Sequence, residues 1–141
     1  MQRRDLLTLA VAGLLLVGAA GPVAAQGSIN VSADVPFEFA VGSKTMPAGK
    51  YSVTNRTNTG VLSVQSEDAR NAANVIGISA QSNRLPETGK LVFNKYGDRY
   101  FLSQVWTLGS AWGLEIPKHR AERELARMAA NRERVTVLAK R

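Results

Sequence analysis

The chain has 141 residues, with 18 Lys or Arg against 11 Asp or Glu, a single histidine and no cysteine. The cysteine count excludes disulfides, a thiol nucleophile and a lipid anchor on cysteine, and one imidazole falls short of the several His or Cys ligands of a zinc or copper site. A formal net charge of +7 favours anionic partners, with an attraction that salt weakens.

The chain opens MQRRDLLTLAVAGLLLVGAAGPVAAQG. A short basic start, an apolar run from Leu6 to Ala20 and small residues ending at Val23-Ala24-Ala25 have the order of a secretory signal peptide. Cleavage is expected after Ala25, and the apolar run is shorter than the roughly 20 residues that span a bilayer. The expectation is an exported protein, periplasmic or extracellular, with no transmembrane span after cleavage. Arg3-Arg4 followed by Asp5-Leu6-Leu7 resembles a twin-arginine export signal, although Thr8 stands where a basic residue is often found; the ordinary route for unfolded chains fits equally well.

Residues 26–141 are enough for one compact domain. Their charge is uneven: residues 115–141 hold eight Lys or Arg and four acids, against eight and six in residues 26–114. Between Ile29 and Trp106 short β-type runs alternate with Gly, Pro, Asn and Asp clusters, which predicts a mainly β fold, a small antiparallel sandwich or barrel. Strands are expected near 29–41, 50–55, 61–66, 74–81, 90–96 and 99–107, the first broken at Pro36 because proline donates nothing to a ladder. TMPAGKY, residues 45–51, reads as a turn that makes 35–41 and 50–55 antiparallel neighbours. Alternation places Val35, Phe37, Phe39 and Val41 on one face.

LPETG, residues 85–89, matches the letters of a wall-sorting signal, but no terminal apolar span follows, so it reads as a loop bent by Pro86 and Gly89. In LVFNKYGDRYFLSQVW, residues 91–106, Gly97-Asp98 fits the type II′ turn of a hairpin. A two-residue loop gathers Leu91, Phe93, Tyr100, Leu102 and Trp106 on one face and Val92, Tyr96, Phe101 and Val105 on the other. Both faces are apolar, so both need a cover, or one is an exposed aromatic platform.

Pro117 suits the first position of a helix, and KHRAERELARMAAN continues it. At about 100° per residue, Ala121, Leu125, Met128 and Ala129 form one stripe and Arg120, Arg123 and Arg127 nearly the opposite one, which Arg134 would join if the helix runs that far. The domain organisation expected is a β-domain over 26–114 with a basic helix and tail, 115–141, packed on it. VTVLA, residues 135–139, either returns as a last strand or trails away.

Catalytic groupings are sparse. His119, at the basic helix start, is the sole imidazole available to a Ser-His-acid arrangement. Asp34, Glu38, Glu67, Asp68, Glu87 and Asp98 show no spacing that singles out the pair a hydrolase would use. Neither a phosphate-cradling loop nor a nucleic-acid-binding motif is present, and neither a cofactor nor a nucleic-acid partner is expected. Arg120, Arg123 and Arg127 could grip phosphates or acidic sugars of an anionic envelope polymer, or another envelope protein. Glu122 and Glu124 interleave with them, and pairing at i+3 or i+4 describes the same face as merely solvated. Trp106, Trp112, Tyr96 and Tyr100 are the candidates for stacking on a small apolar or sugar ligand.

VPFEFAVGSKTMPAGKY, FNKYGDRYFLSQVW and LEIPKHRAERELAR, in that order, resemble a family of small exported bacterial proteins without an assigned activity. The resemblance implies that hairpin and basic helix belong to one domain. The function expected is that of a non-enzymatic structural or binding module of the cell envelope, with a small-ligand or sugar-binding β-barrel and a small carboxylate-dependent hydrolase as the alternatives.

Overall fold

The computed structural model describes residues 28–55, 60–129 and 131–140. The expected leader and its cleavage site lie outside them. In chain order the strands are β1 (Asn30–Val35), β2 (Phe39–Val41), β3 (Lys44–Met46), β4 (Gly49–Asn55), β5 (Val61–Ser66), β6 (Ala72–Ile76), β7 (Ile78–Gln81), β8 (Lys90–Tyr96), β9 (Arg99–Trp106) and β10 (Trp112–Glu115). Helix α1 (Arg120–Met128) and β11 (Glu133–Leu138) follow. Among the described residues the fold is mainly β with one helix near the C-terminus.

One antiparallel sheet has the order β1-β4-β5-β6; the other runs β11-β8-β9-β10-β7, with β2 joined in parallel to β9 and carrying β3. Alternation along each strand aims one set of side chains between the sheets. Val31, Ala33 and Val35 of β1, Val53 of β4, and Leu62 and Val64 of β5 meet Leu91 and Phe93 of β8, Leu102 and Val105 of β9, and Leu114 of β10.

The sandwich is closed along one side. Ala139 N–H donates to Gly89 O at 2.8 Å and Lys140 N–H to Ser32 O at 2.8 Å, while Lys140 Nζ sits 2.7 Å from Asp34 Oδ2. On the opposite side Gly77 alone carries the chain from β6 in the first sheet to β7 in the second. A Cβ there would lie 3.1 Å from Leu114 Cβ and 3.4 Å from Leu62 Cδ1.

The break expected at Pro36 is present, and the two halves of 29–41 join different sheets, because the chain turns a corner at residues 36–38. Two expectations are corrected. Phe39–Val41 does not pair with 50–55; it folds back at Gly42, whose φ is +59°, onto Lys44–Met46. Pro47 and Ala48 form a link, and β4 pairs with β1, Val35 opposite Gly49. The run 74–81 is likewise two strands, parted at Gly77.

The hairpin forms at the expected place, Tyr96 opposite Arg99, with positive φ at Gly97 as a type II′ turn requires. Farther along, Phe93 pairs with Leu102 but Val92 with Gln104, so Ser103 is an extra residue, a β-bulge. One inserted residue exchanges the two faces beyond it. Val105 therefore turns into the core, and Trp106, expected on that face, turns outward, where its Nε1 donates to Gln104 Oε1 at 3.1 Å. Strand β10, absent from the sequence-based expectation, pairs beside it, and Gly113 lies opposite Trp106. A Cβ on Gly113 would come within 2.6 Å of both Trp106 Cε3 and Val105 O.

Gly113→Ala should therefore destabilise the domain by about 1 to 3 kcal/mol, the usual range for overpacking. Urea denaturation of the variant beside the wild type checks this; an unchanged midpoint would contradict the packing of Trp106 on Gly113.

Candidate functional site

The outer face of the second sheet presents Ala40, Tyr96 and Phe101, all buried, and Leu125, Ala126 and Ala129 pack on them. Tyr96 and Phe101 meet edge to face, 5.9 Å between centroids. Thus α1 covers the second apolar face of the hairpin. It starts at Arg120, three residues after Pro117, with His119 as an N-cap that makes no side-chain capping bond.

The docked stripe is rotated from the expected one. Met128 is 77% exposed, whereas Glu122, expected to face solvent, is 4% exposed. A buried carboxylate is costly unless donors meet it. Here Asn94 Nδ2 donates to Glu122 Oε1 at 2.8 Å and Tyr96 OH donates to the same oxygen at 3.1 Å. Glu122, Leu125, Ala126 and Ala129, spaced i, i+3, i+4 and i+7, make a stripe that is apolar except for one charge, and the sheet carries the polar pair that receives it. Burial, and after it the nearby charge of Glu122, raises the pKa of the Tyr96 phenol above its ordinary 10.0, with Arg132 opposing the shift.

That anchoring turns Arg120, Arg123 and Arg127 outward together, all exposed. Arg120 Nε is 3.1 Å from Glu124 Oε1, an i to i+4 pair. The Arg99 guanidinium lies over the Phe101 ring, 5.3 Å from its centroid, so a further arginine borders the helix. Arg134 lies in β11 opposite Asn94 rather than on the helix. Val135 and Val137 of that strand pack on the core, so alternation puts Arg134 on the outer face. Sequence reasoning missed Arg99 and Glu122. An arginine two residues before Phe101 on an outward-facing strand was the available signal for the first; the second has none, since its partners are distant in sequence.

The four aromatic candidates are dispersed. Tyr96 is buried against Glu122, and Tyr100 stacks on Phe37 at 3.8 Å with Lys95 Nζ 5.5 Å from its ring. Trp106 is buried over Gly113, and Trp112 is exposed, opposite Gln81. Two clefts of ≈ 360 and ≈ 530 Å³ lie elsewhere, the first beside Tyr51 and Asp68 and the second at the seam beside Thr107 and Lys140; none of the four lines either. Among the carboxylates, Asp34 holds Lys140, Glu67 lies 3.9 Å from Lys50, and Asp68 accepts from Ser66 Oγ at 2.6 Å. Among the described residues no group of His, Cys, Asp and Glu is placed to hold a metal ion, and no helix is long and apolar enough to cross a membrane.

Comparison with family models, with curated proteins and with solved structures finds no match for this chain.

Glu122→Ala should cost about 1 to 3 kcal/mol, because two buried donors lose their acceptor. Glu122→Gln, which keeps an acceptor oxygen, should cost less; equal losses in thermal denaturation would refute the acceptor role. A second expectation concerns alkaline pH. Tyr96 and Tyr51 both have pKa values raised above 10.0 in the fold, chiefly by burial. Unfolding lets both ionise at the ordinary value, so the stability they contribute is complete below about pH 10 and is lost as pH climbs toward their folded values. Tyr96→Phe should flatten that decline, and denaturation midpoints across the alkaline range would show it.

Proposed function

We propose that this protein is a non-enzymatic binding module of the bacterial cell envelope that contacts an anionic polymer through the outward face of α1. Exported through the leader at residues 1–25, it acts outside the cytoplasm, as the small exported family that its three sequence blocks resemble would suggest. The observation that carries the reading is the position of Arg120, Arg123 and Arg127, side by side on the exposed face of a helix whose other face is pinned by Glu122 to Asn94 and Tyr96. A fixed row of guanidinium groups suits phosphate or carboxylate groups repeated along a polymer, because each offers planar paired donors. Arg99 and Arg134 on the same side of the sheet widen the positive surface. Uncharged sugars and nucleic acid are the poorer ligands, since the aromatic side chains that would stack on them are buried or dispersed.

The test is retention of the protein on acidic polysaccharide, on phosphorylated envelope glycolipid and on an uncharged glycan at rising salt. The comparison protein carries Arg120→Gln, Arg123→Gln and Arg127→Gln together. Retention on the two anionic matrices should weaken with salt and disappear in the variant, whose stability should change by under about 0.5 kcal/mol per site, as for other surface substitutions. Equal retention of variant and wild type would refute the proposal.

A further inference from the structure

We propose that the free edge of β7 is a self-association surface, on which β7 of a second copy pairs antiparallel to make one continuous sheet across a two-fold dimer. Open sheet edges template pairing with other chains unless something protects them. At most of the ends of these two sheets such protection is present. The ends at β1 and β11 are tied to each other by Lys140 N–H on Ser32 O and by Lys140 with Asp34. At β6, Lys44 Nζ donates to Ala72 O at 2.6 Å, and a Cβ on Gly42 would lie 3.0 Å from Val75 Cγ1, so the β2–β3 hairpin lies against that edge. Strand β3 carries its own charge at Lys44. Among the described residues β7 has β10 on one side and no strand on the other.

The backbone of β7 is arranged for a partner. Ser82 N–H donates to Ala111 O in the register that puts Ala80 opposite Gly113 and Ile78 opposite Glu115. Antiparallel ladders alternate, so Ile78 and Ala80 direct their N–H and C=O groups to β10, and Ser79 and Gln81 direct theirs off the sheet. Centred on Ala80, a two-fold lets Ser79 of each copy exchange both backbone hydrogen bonds with Gln81 of the other. The side chains near the axis suit the pairing as well: Ala80 meets its own counterpart without crowding, and Ile78, 60% exposed, and the neighbouring Ile76, 69% exposed, become partly covered.

Charge selects the occupant. Residues 71–83, NAANVIGISAQSN, contain neither a charged residue nor a proline, in a chain of net charge +7. A two-fold brings the same segment of both copies together, with like opposite like at the axis itself, so charge on this edge would be set close to its own counterpart. A foreign partner chosen by this basic chain would be drawn to its arginines; the neutral edge offers such a partner no electrostatic preference and offers a second copy no penalty.

Sedimentation of the purified protein, processed as its own cells process it, over rising concentration tests the idea beside Ser79→Pro and Ile78→Lys. Proline at 79 removes an N–H that points off the sheet and leaves the β10 ladder whole. The wild type should pass from monomer to dimer mass, and each variant should raise the dissociation constant at least about tenfold, a loss of about 1.4 kcal/mol, with its thermal midpoint kept. Should the proline variant misfold, the lysine variant decides alone. A wild type that stays monomeric throughout, or a dimer that survives Ile78→Lys in a folded protein, overturns the proposal. Hydrogen exchange gives an independent reading: the Ser79 and Gln81 amides should gain protection with concentration, and unchanged exchange in the dimer would place its interface elsewhere and overturn the assignment.

Discussion

A strand pair with large apolar side chains on both faces can leave neither face in water, and β8–β9 is such a pair. The sandwich answers for the inner face, where Leu91, Phe93, Leu102 and Val105 meet the first sheet. The outer face, with Tyr96 and Phe101, needs something else, and a helix of nine residues supplies it. A helix so short is marginal by itself, so its formation depends on what it touches. The carboxylate of Glu122 sets its rotation: only one phase brings that group to Asn94 Nδ2 and Tyr96 OH. A purely apolar stripe would tolerate small rotations; a buried charge with specified donors does not.

The same contact divides the helix into a docked face and an exposed one. One face is committed to the sheet and the opposite one is held out rigidly, so Arg120, Arg123 and Arg127 keep a defined spacing without spending order on the helix itself. For the proposed contact with an anionic polymer arginine suits better than lysine, because the planar group loses less freedom for each hydrogen bond it forms.

How much of this could be read in advance varies with the range of the interaction. The Gly97-Asp98 turn and the helix with its arginine row follow from local pattern and stand in the structure; for residues 135–139 local pattern leaves a last strand and a trailing end both open, and the structure forms a strand over Glu133–Leu138. Pro36 marks an interruption, but which sheet each half joins is decided by residues far along the chain. The extra residue at Ser103 has no signature, since Phe101-Leu102-Ser103-Gln104-Val105 alternates as well with a bulge as without one; the faces of Val105 and Trp106 are legible only once the partner strand is known. Glu122 is the clearest case. On a helical wheel it is one more acid among arginines, and its donors lie 28 and 26 residues earlier.

The seam between β1 and β11 joins parts of the chain made at very different times. Strand β1 leaves the ribosome well before Ala139 and Lys140, which close the sandwich onto Gly89 and Ser32 and emerge after every described strand and helix α1. A nascent chain that has just completed β9 has its outer apolar face bare and one edge of β8 unpaired, so it can collapse but cannot lock. Contacts so distant in sequence also close slowly once the chain is whole. Synthesis thus leaves an interval in which the polypeptide is collapsed but still extensible. The timing of the final strand, as much as its hydrogen bonds, would then govern when this protein becomes a folded object.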